Sequence, residues 1–531
     1  MINDRLDPLA EARQSFHLGQ LSNAIRLAQE AAGSPNLTPQ AQILQARCLI
    51  EQGHFPQADI LLSTALANLP QDSEMALEMR LRLASLRIYL TGHIAQIWEE
   101  ARDVLAGNPL QRLRGLALDL WGRGLAIAVI YHLASPEDLV EAKRLLSEAI
   151  DSYRLVGEND TALAALLKLG QLHLLSTPDL AAARLTFQEA WDLAQSAENL
   201  VRQAEAKLRL AELDFDASLA KRAENPEAQI DPAPYQQAML LYENAGHVLG
   251  PADVLLSVGT RLTKAGYDGS DSLQQALLLY EKADNLIGLS STVAELSTWY
   301  LQQGELSLSL EYRQRAIAIA REMGFPLSQA TACLGIGDYY FRTGDYARAL
   351  AAYEQVEELT VAPSVLAMQG LNLANSYSMM NLHDRAAEVC RAAIEILEQS
   401  GSSQILSLAY FILGNVISGK GNWAEAIPVW RKSLDMDEAS NNLLEQAKKL
   451  QCIAQATVMQ YHRAGGYSIP ETAYEEAMAL YSQTIELLKR VGNNEAVASI
   501  ANTYELQGQT LLVCARPLDC IKYLELAVKE A

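Results

Sequence analysis

Small residues recur about every 40 residues along this chain, always in the same arrangement with larger apolar residues. The clearest copy contains Gly337, Tyr340, Ala349, Tyr353 and Val356. Because positions i, i+4 and i+7 of a helix share one face, Ala349, Tyr353 and Val356 form one packing surface. A recurrence of roughly 20–50 residues predicts a stack of repeated units instead of one globular core.

The recurrence runs from one end of the chain to the other, and strand-like alternation is absent. Each unit has two helical stretches separated by a polar or Gly-containing turn. We predict an all-α fold, a right-handed superhelical solenoid of about thirteen antiparallel helix pairs. The small residue of the second helix falls at positions spaced by 33 to 55 residues: Ala24, Ala58, Ile97, Ala142, Ala183, Ala238, Ala276, Ser309, Ala349, Ala386, Ala426, Ala477 and Cys520.

This arrangement resembles the tetratricopeptide repeat (TPR) superfamily, in a form whose repeats are longer than the usual 34 or so residues. The resemblance covers nearly all of the chain and is strongest from Ser291 to Leu434. It implies helical hairpins stacked into a solenoid. It does not imply one activity, because the superfamily shares a fold and not a function.

One polar segment interrupts the pattern. Residues 214–234 carry three prolines and few apolar residues, which predicts a long loop between helices. The loop would separate an N-terminal TPR arm, 1–213, from a C-terminal arm, 235–531. A long loop in a solenoid is either a decoration or a binding element.

Composition limits the choice of partner. The net charge of −22 argues against nucleic acid and against anionic membrane surfaces, because phosphate binding needs clustered Lys and Arg. No apolar run approaches the roughly 20 residues that span a bilayer, and no secretory signal opens the chain. We therefore expect a cytoplasmic protein whose partner is another protein or a peptide.

We also expect no catalytic residues, no cofactor and no metal. The chain contains no nucleotide-binding loop and no metal-ligand spacing, and its histidines stand alone. Its six cysteines form no CxxC pair, and Cys390 and Cys520 occupy small-residue positions of the repeat. Such cysteines are typical of reduced residues that pack in a core.

The residue after the small position of each first helix is expected to face the inner wall of the superhelix. From the ninth unit onward these residues are polar. A side-chain amide both donates and accepts, so it can pair with the backbone of an extended peptide. Helices packed about 8–10 Å apart would meet such a peptide at roughly every third residue. The candidate peptide-binding residues, which we call the polar row, are Asp338, Asn372, Asn375, Asn415, Gln455 and Gln509. The alternative is that they are simply polar residues on a hydrated face.

Near the N-terminus the same position holds Arg13 and Arg47, with Arg82 and Arg87 nearby. This basic patch is a secondary candidate for binding an acidic peptide or a carboxylate, because guanidinium groups bond carboxylates in a bidentate manner. The alternative is that these are ordinary surface arginines.

Two hypotheses of function follow. The first is a non-catalytic scaffold or adaptor that binds a protein or extended peptide in its concave face. The second is a sensor or regulatory subunit that controls a partnered effector, such as the proteases, signalling ATPases and transcription regulators found with TPR solenoids. The apolar last helix, Tyr523 to Ala531, has no polar helix beyond it, which predicts that further chain, a partner or a second copy covers it.

Overall fold

The structure is a computed structural model that describes residues 8–33, 38–91, 95–130, 138–175, 178–224, 231–359, 363–400, 403–462, 469–491, 494–514 and 516–530. All regular secondary structure in these residues is helical. The helices are α1 (Pro8–His17), α2 (Leu21–Ala32), α3 (Thr38–Gln52), α4 (Phe55–Leu66), α5 (Glu74–Thr91), α6 (Ala95–Ala106), α7 (Gln111–Ile130), α8 (Asp138–Leu155), α9 (Asn159–Leu172), α10 (Leu180–Ser196), α11 (Leu200–Glu224), α12 (Ala233–Ala245), α13 (Gly250–Lys264), α14 (Ser270–Lys282), α15 (Leu286–Gln302), α16 (Leu306–Met323), α17 (Pro326–Arg342), α18 (Tyr346–Glu354), α19 (Pro363–Met379), α20 (His383–Ser400), α21 (Ser403–Gly419), α22 (Trp423–Ala439), α23 (Leu443–His462), α24 (Glu471–Val491), α25 (Asn494–Val513) and α26 (Pro517–Glu530).

These helices form antiparallel pairs in which an odd-numbered first helix precedes an even-numbered second helix. All thirteen predicted small positions lie in the second helices, one in each, and none exposes more than 2% of its surface. A small side chain there lets the helices approach closely, and the larger residue one turn later fills the space beside it. The prediction of an all-α solenoid of helix pairs is therefore confirmed, with the predicted alignment of its repeats.

The Gly337 and Tyr353 pair shows why the repeat needs small residues. Tyr353 on α18 is buried against Gly337 on α17, and a Cβ at Gly337 would lie 2.1 Å from a ring carbon of Tyr353. We expect Gly337→Ala to destabilise the hairpin of α17 and α18 by about 1–3 kcal/mol, because the Tyr353 ring has to move. The matched control is Gly107→Ala, whose new Cβ would meet its nearest atom at 3.5 Å. Equal urea midpoints for the two variants would contradict this packing.

Contacts divide the chain into two compact units. The first contains residues 1–336 and 359–362, and the second contains residues 337–358 and 363–531. The division thus falls within α17. The predicted boundary at 214–234 lies inside the first unit.

The loop predicted over 214–234 is wrong for its first half. Helix α11 continues to Glu224, and the next helix begins at Ala233. Two ion pairs hold the polar end of α11 on its neighbours: Arg184 bonds Asp214 at 2.7 Å and Arg261 bonds Asp216 at 3.0 Å. Polar composition therefore marks an exposed helix here and not a loop, while residues 225–230 lie outside the described residues.

In the first unit the solenoid turns back on itself. The backbone N–H of Val248, between α12 and α13, donates to the carbonyl oxygen of Leu18, between α1 and α2, at 2.9 Å. Beside this bond, Leu249 packs against a small core formed by Leu21, Ala24 and Cys48. The first hairpin is therefore in contact with residues more than 200 positions further along the chain.

The second hairpin makes a larger contact of the same kind. Asn285 caps α15 by accepting the N–H of Gly288 at 2.7 Å, and its amide nitrogen donates to the carbonyl oxygen of Glu51 at 2.8 Å. Next to this bond, Oδ2 of Asp284 lies 3.3 Å from Nε2 of His54, three residues after Glu51. The side chain of one asparagine thus provides a hydrogen-bond partner for a backbone N–H in the first turn of α15 and for a backbone carbonyl in the last turn of α3.

Aromatic rings complete this contact. Phe55 on α4 and Tyr89 on α5 stack with ring centroids 5.0 Å apart, and Phe325 approaches both edge-on, at 6.0 and 5.5 Å. We call the contacts at Leu18–Val248, Glu51–Asn285 and Phe55–Phe325 the coil junction. Through it, the first coil of the superhelix packs directly on the next coil within the first unit.

The second unit contains a buried ion pair between α22 and α23. Lys449 is only 1% exposed, and its ammonium lies 3.0 Å from Asp437 Oδ2 and also pairs with Glu445. The Ser407 hydroxyl on α21 donates to Asp437 Oδ1 at 2.7 Å, and the Phe411 ring lies 4.8 Å from the Lys449 ammonium. These contacts link three successive helices through buried polar groups.

Candidate functional site

The polar row lies in the second unit, on five successive first helices from α17 to α25. Asp338 and Gln509 are exposed, and the remaining four side chains are partly exposed. None of the six is buried, although their neighbours on each helix are core residues. Each side chain of the row is thus at least partly accessible to solvent.

Two members of the row already bond the second helix of their own hairpin. Asp338 Oδ1 accepts the Tyr353 hydroxyl at 2.7 Å, and Asn415 Oδ1 accepts the Trp430 indole N–H at 3.1 Å. Asn372 also donates to Asp338 Oδ1 at 3.4 Å, which joins neighbouring hairpins. The acceptor of Asn415 therefore helps to orient Trp430, while its amide nitrogen is the group suited to a peptide carbonyl.

The basic patch is not one surface. Arg47 and Arg82 lie on the adjacent first helices α3 and α5, where Arg82 contributes to the lowered pKa of Arg47. Arg87 instead bonds Asp59 on α4 at 3.0 Å, on the side of α5 that packs against the preceding hairpin. Arg13 is exposed on α1. The structure thus brings Arg47 and Arg82 together and directs Arg87 elsewhere.

The first helices of the first unit carry a series of ion pairs that the sequence analysis did not identify. Each pair joins one first helix to the next, or in the case of Glu158 to the N-cap residue of the next, so the charges hold neighbouring hairpins together. The pairs are Glu78–Arg112 at 2.8 Å, Arg112–Glu158 at 2.9 Å, Asp160–Arg202 at 2.9 Å and Glu212–Arg261 at 3.4 Å. The available signal was the spacing of opposite charges on single helices, as in Glu78 and Arg82.

Burial and neighbouring charges shift several pKa values in the first unit. Burial opposes ionisation of Glu78, but Arg82 and Arg112 outweigh it and lower its pKa to about 2. Burial, together with Arg123 and Arg209, lowers the pKa of Lys168 to about 8. The charge of Glu51 on α3 also acts on Lys168 on α9. Charges on helices several hairpins apart in the sequence therefore act on one another within the first unit.

Asp253 on α13 provides a test of this environment. Burial raises its pKa to about 6, although the Tyr280 hydroxyl donates to its Oδ1 at 2.5 Å. A carboxyl whose folded pKa exceeds its unfolded value destabilises the fold as pH rises through the interval between them, about 4 to 6. Because Asp253 is partly exposed, solvent screens part of this effect. We therefore expect the charged Asp253 to lower the free energy of unfolding by about 1–2 kcal/mol at pH 7.5.

We therefore expect Asp253→Asn to raise the urea midpoint at pH 7.5, because its Oδ1 still accepts from Tyr280 without a buried charge. The gain should shrink as pH falls from 6 towards 4. Urea titrations of both proteins at several pH values measure the difference. A variant less stable than the wild type at pH 7.5, or a gain that grows on acidification, would contradict the assignment.

No group of three or more His, Cys, Asp and Glu among the described residues could hold a metal ion. All six cysteines are free thiols; four are buried, while Cys452 and Cys514 are partly exposed. Burial raises the pKa of the Cys48 and Cys390 thiols to about 12, which keeps them protonated and unreactive. None of the helices in the described part of the chain is long and apolar enough to cross a membrane.

No protein-family model matches this chain, and no curated protein matches it in sequence. Among solved structures, it is similar to a Pyrococcus horikoshii signal transduction ATPase with a tetratricopeptide repeat sensor, at 12% identity and a TM-score of 0.45, over 90% of this chain and 74% of that one. It is also similar to yeast Tom70, at 15% identity and a TM-score of 0.42; the alignment covers 86% of this chain and 96% of Tom70. A Rap protein complexed with competence and sporulation factor aligns at 14% identity and a TM-score of 0.39; the alignment covers 69% of this chain and 99% of that protein.

Scores this low carry no argument about partner or activity. The repeat architecture rests instead on the thirteen helix pairs and their buried small residues. These pairs agree with the resemblance to TPR solenoids that the sequence shows.

Proposed function

We propose that this chain is a non-catalytic scaffold or adaptor that binds an extended segment of another protein along the polar row. Residues of the row lie on five successive first helices and remain accessible, whereas the small residues that define the repeat are buried. Because packed helices stand about 8–10 Å apart, amides on successive hairpins match every third residue of an extended chain. The accessible, regularly spaced amides are the observation that carries this proposal.

The test separates peptide binding from packing. Asn375→Ala removes one amide, and Asn415→Asp keeps the acceptor for Trp430 while removing both amide donors. Two neutral hydrogen bonds contribute about 0.5–1.5 kcal/mol each, so the double variant should bind about tenfold more weakly. The ligand is a fluorescent peptide selected on the full chain from a phage-displayed random dodecapeptide library, and its affinity is read by anisotropy.

The matched control is Gln399→Ala, which removes an exposed amide from the second helix α20. This variant should bind the selected peptide as the wild type does. Failure to select any peptide, or equal affinity of a folded double variant, would overturn the proposal. Circular dichroism establishes that the double variant is folded.

A second candidate, a regulatory subunit of a partnered effector, is favoured by the surface of α26. Leu518 and Val528 on this helix are 84% and 80% exposed, and Ile521 and Leu524 are also exposed. Contiguous apolar residues at a surface mark contacts with other proteins. Light scattering tests whether a second copy is that contact: a monomer over a wide concentration range would exclude it, and Val528→Glu should dissociate a dimer.

A further inference from the structure

One arginine occupies the same repeat position in each of the first four hairpins. In the polar row this position follows the buried small residue of the first helix, as Asp338 follows Gly337. In the first unit the residues before the arginines are equally buried: Ala12, Ala46, Leu81 and Gly122. The four arginines, which we call the arginine row, are Arg13 on α1, Arg47 on α3, Arg82 on α5 and Arg123 on α7. Arg87 does not belong to it.

The members of this row differ in how their charge is balanced. Arg82 bonds Glu78 at 2.7 Å and Arg123 bonds Asp119 at 2.6 Å, each one turn earlier on the same helix. Within the described part of the chain, neither Arg13 nor Arg47 has a carboxylate within ion-pair distance. The row therefore begins with two positive charges that the protein itself does not neutralise by direct contact.

Arg47 is held in a geometry suited to an anion. Its guanidinium carbon lies 4.5 Å from the centroid of the Phe16 ring. An aromatic face beneath the guanidinium leaves N–H groups at its edge to bond a carboxylate. Burial and the nearby charge of Arg82 outweigh the carboxylates of Glu51 and Glu78 and lower the pKa of Arg47 to about 10, so a bound anion would stabilise its charged form.

We propose that the arginine row is a second binding site, which takes an extended acidic protein segment with a carboxylate at about every third residue. Helices about 8–10 Å apart and a rise of about 3.3 Å per residue set this spacing. The site lies in the first unit, while the polar row lies in the second, so neither proposal depends on the other.

Glu51 lies one turn after Arg47 on α3 and is exposed. Its carboxylate would repel an acidic ligand at this point of the row. Neutralising Glu51 should therefore strengthen binding, which is the opposite of what simple damage to the fold would do. This sign makes Glu51 the most informative position for a test.

The probe is a fluorescent peptide of roughly five Glu-Gly-Ser repeats, in which carboxylates recur at every third residue. Its comparison peptide has the same composition with all glutamates adjacent. We expect the spaced peptide to bind the full chain, and Arg47→Gln to weaken binding about tenfold. Glu51→Gln should tighten it about threefold, because one like charge is removed. Arg26→Gln, which changes an exposed arginine paired with Glu30 on α2, should leave the affinity unchanged.

Three results would overturn the proposal. They are no saturable binding of the spaced peptide at low salt, equal binding of the two peptides, and preferential binding of a single-stranded oligonucleotide. Tighter binding by Glu51→Gln requires a folded protein, so the proposal is tested even if Arg47→Gln fails to fold. Unchanged affinity in Glu51→Gln would also count against it.

Discussion

Asp437→Ala is expected to destabilise the second unit by about 3–5 kcal/mol, because it removes one partner of a buried ion pair. The ammonium of Lys449 would lose its contact at 3.0 Å while remaining almost fully buried, with only the partly exposed Glu445 beside it. The Ser407 hydroxyl would lose its acceptor at 2.7 Å in the same step and keep only the longer contacts to Ser433. A buried charge without its partner is among the few single changes that cost this much.

The matched control is Asp435→Ala, two residues earlier on α22, where the carboxylate is exposed. That variant should stay within about 0.5 kcal/mol of the wild type. Asp437→Asn should fall between the two, since it keeps an acceptor for Ser407 but not the charge. Hydrogen exchange across α21–α23 in a urea series measures the effect locally, and equal protection in the two alanine variants would contradict the burial of this pair.

Phe325→Ala is expected to cost about 3–5 kcal/mol and to loosen the coil junction. Phe325 is buried, and its ring packs edge-on against the stacked rings of Phe55 and Tyr89. Because these rings belong to hairpins far apart in sequence, the change should raise amide exchange in two separate segments, α3–α5 and α15–α17. A repeat protein without a coil junction would transmit the damage only to adjacent hairpins.

Leu278→Ala on α14 serves as the control, since that leucine is exposed and its removal creates no cavity. This variant should leave amide exchange unchanged in both α3–α5 and α15–α17. If Phe325→Ala raised exchange only around α16 and α17, leaving α3–α5 protected, the contact between successive coils would be refuted. The measurement thus separates the junction from ordinary packing between neighbours.

The helix pairs were predictable because their packing is local. Whether Ala349 lies against the first helix depends on residues within the same hairpin, and the periodicity of those residues is visible in the sequence. The same reasoning predicts that Asn375 and Asn415 face the inner wall, and both side chains are partly exposed. What they bind is not encoded in the repeat, because buried positions determine the fold and accessible ones are free to vary.

The coil junction could not be predicted in this way. Whether Glu51 meets Asn285 depends on the superhelical pitch, which sums small rotations over several hairpins. The prediction of a loop at the polar end of α11 was wrong for a different reason. Asp214 and Asp216 suggested a loop, but they pair with Arg184 and Arg261, which lie on other helices. In both cases the deciding contact is distant in sequence.

The most direct test of the proposed function is photo-crosslinking along the selected peptide. A benzophenone side chain is introduced at successive peptide positions, and the crosslinked residues are mapped by mass spectrometry on the full chain. If an extended segment lies along the polar row, moving the label by three residues should move the crosslink by one hairpin, from α19 to α21 and then to α23. Crosslinks that stay on one hairpin, or that fall on the second helices, would contradict the account.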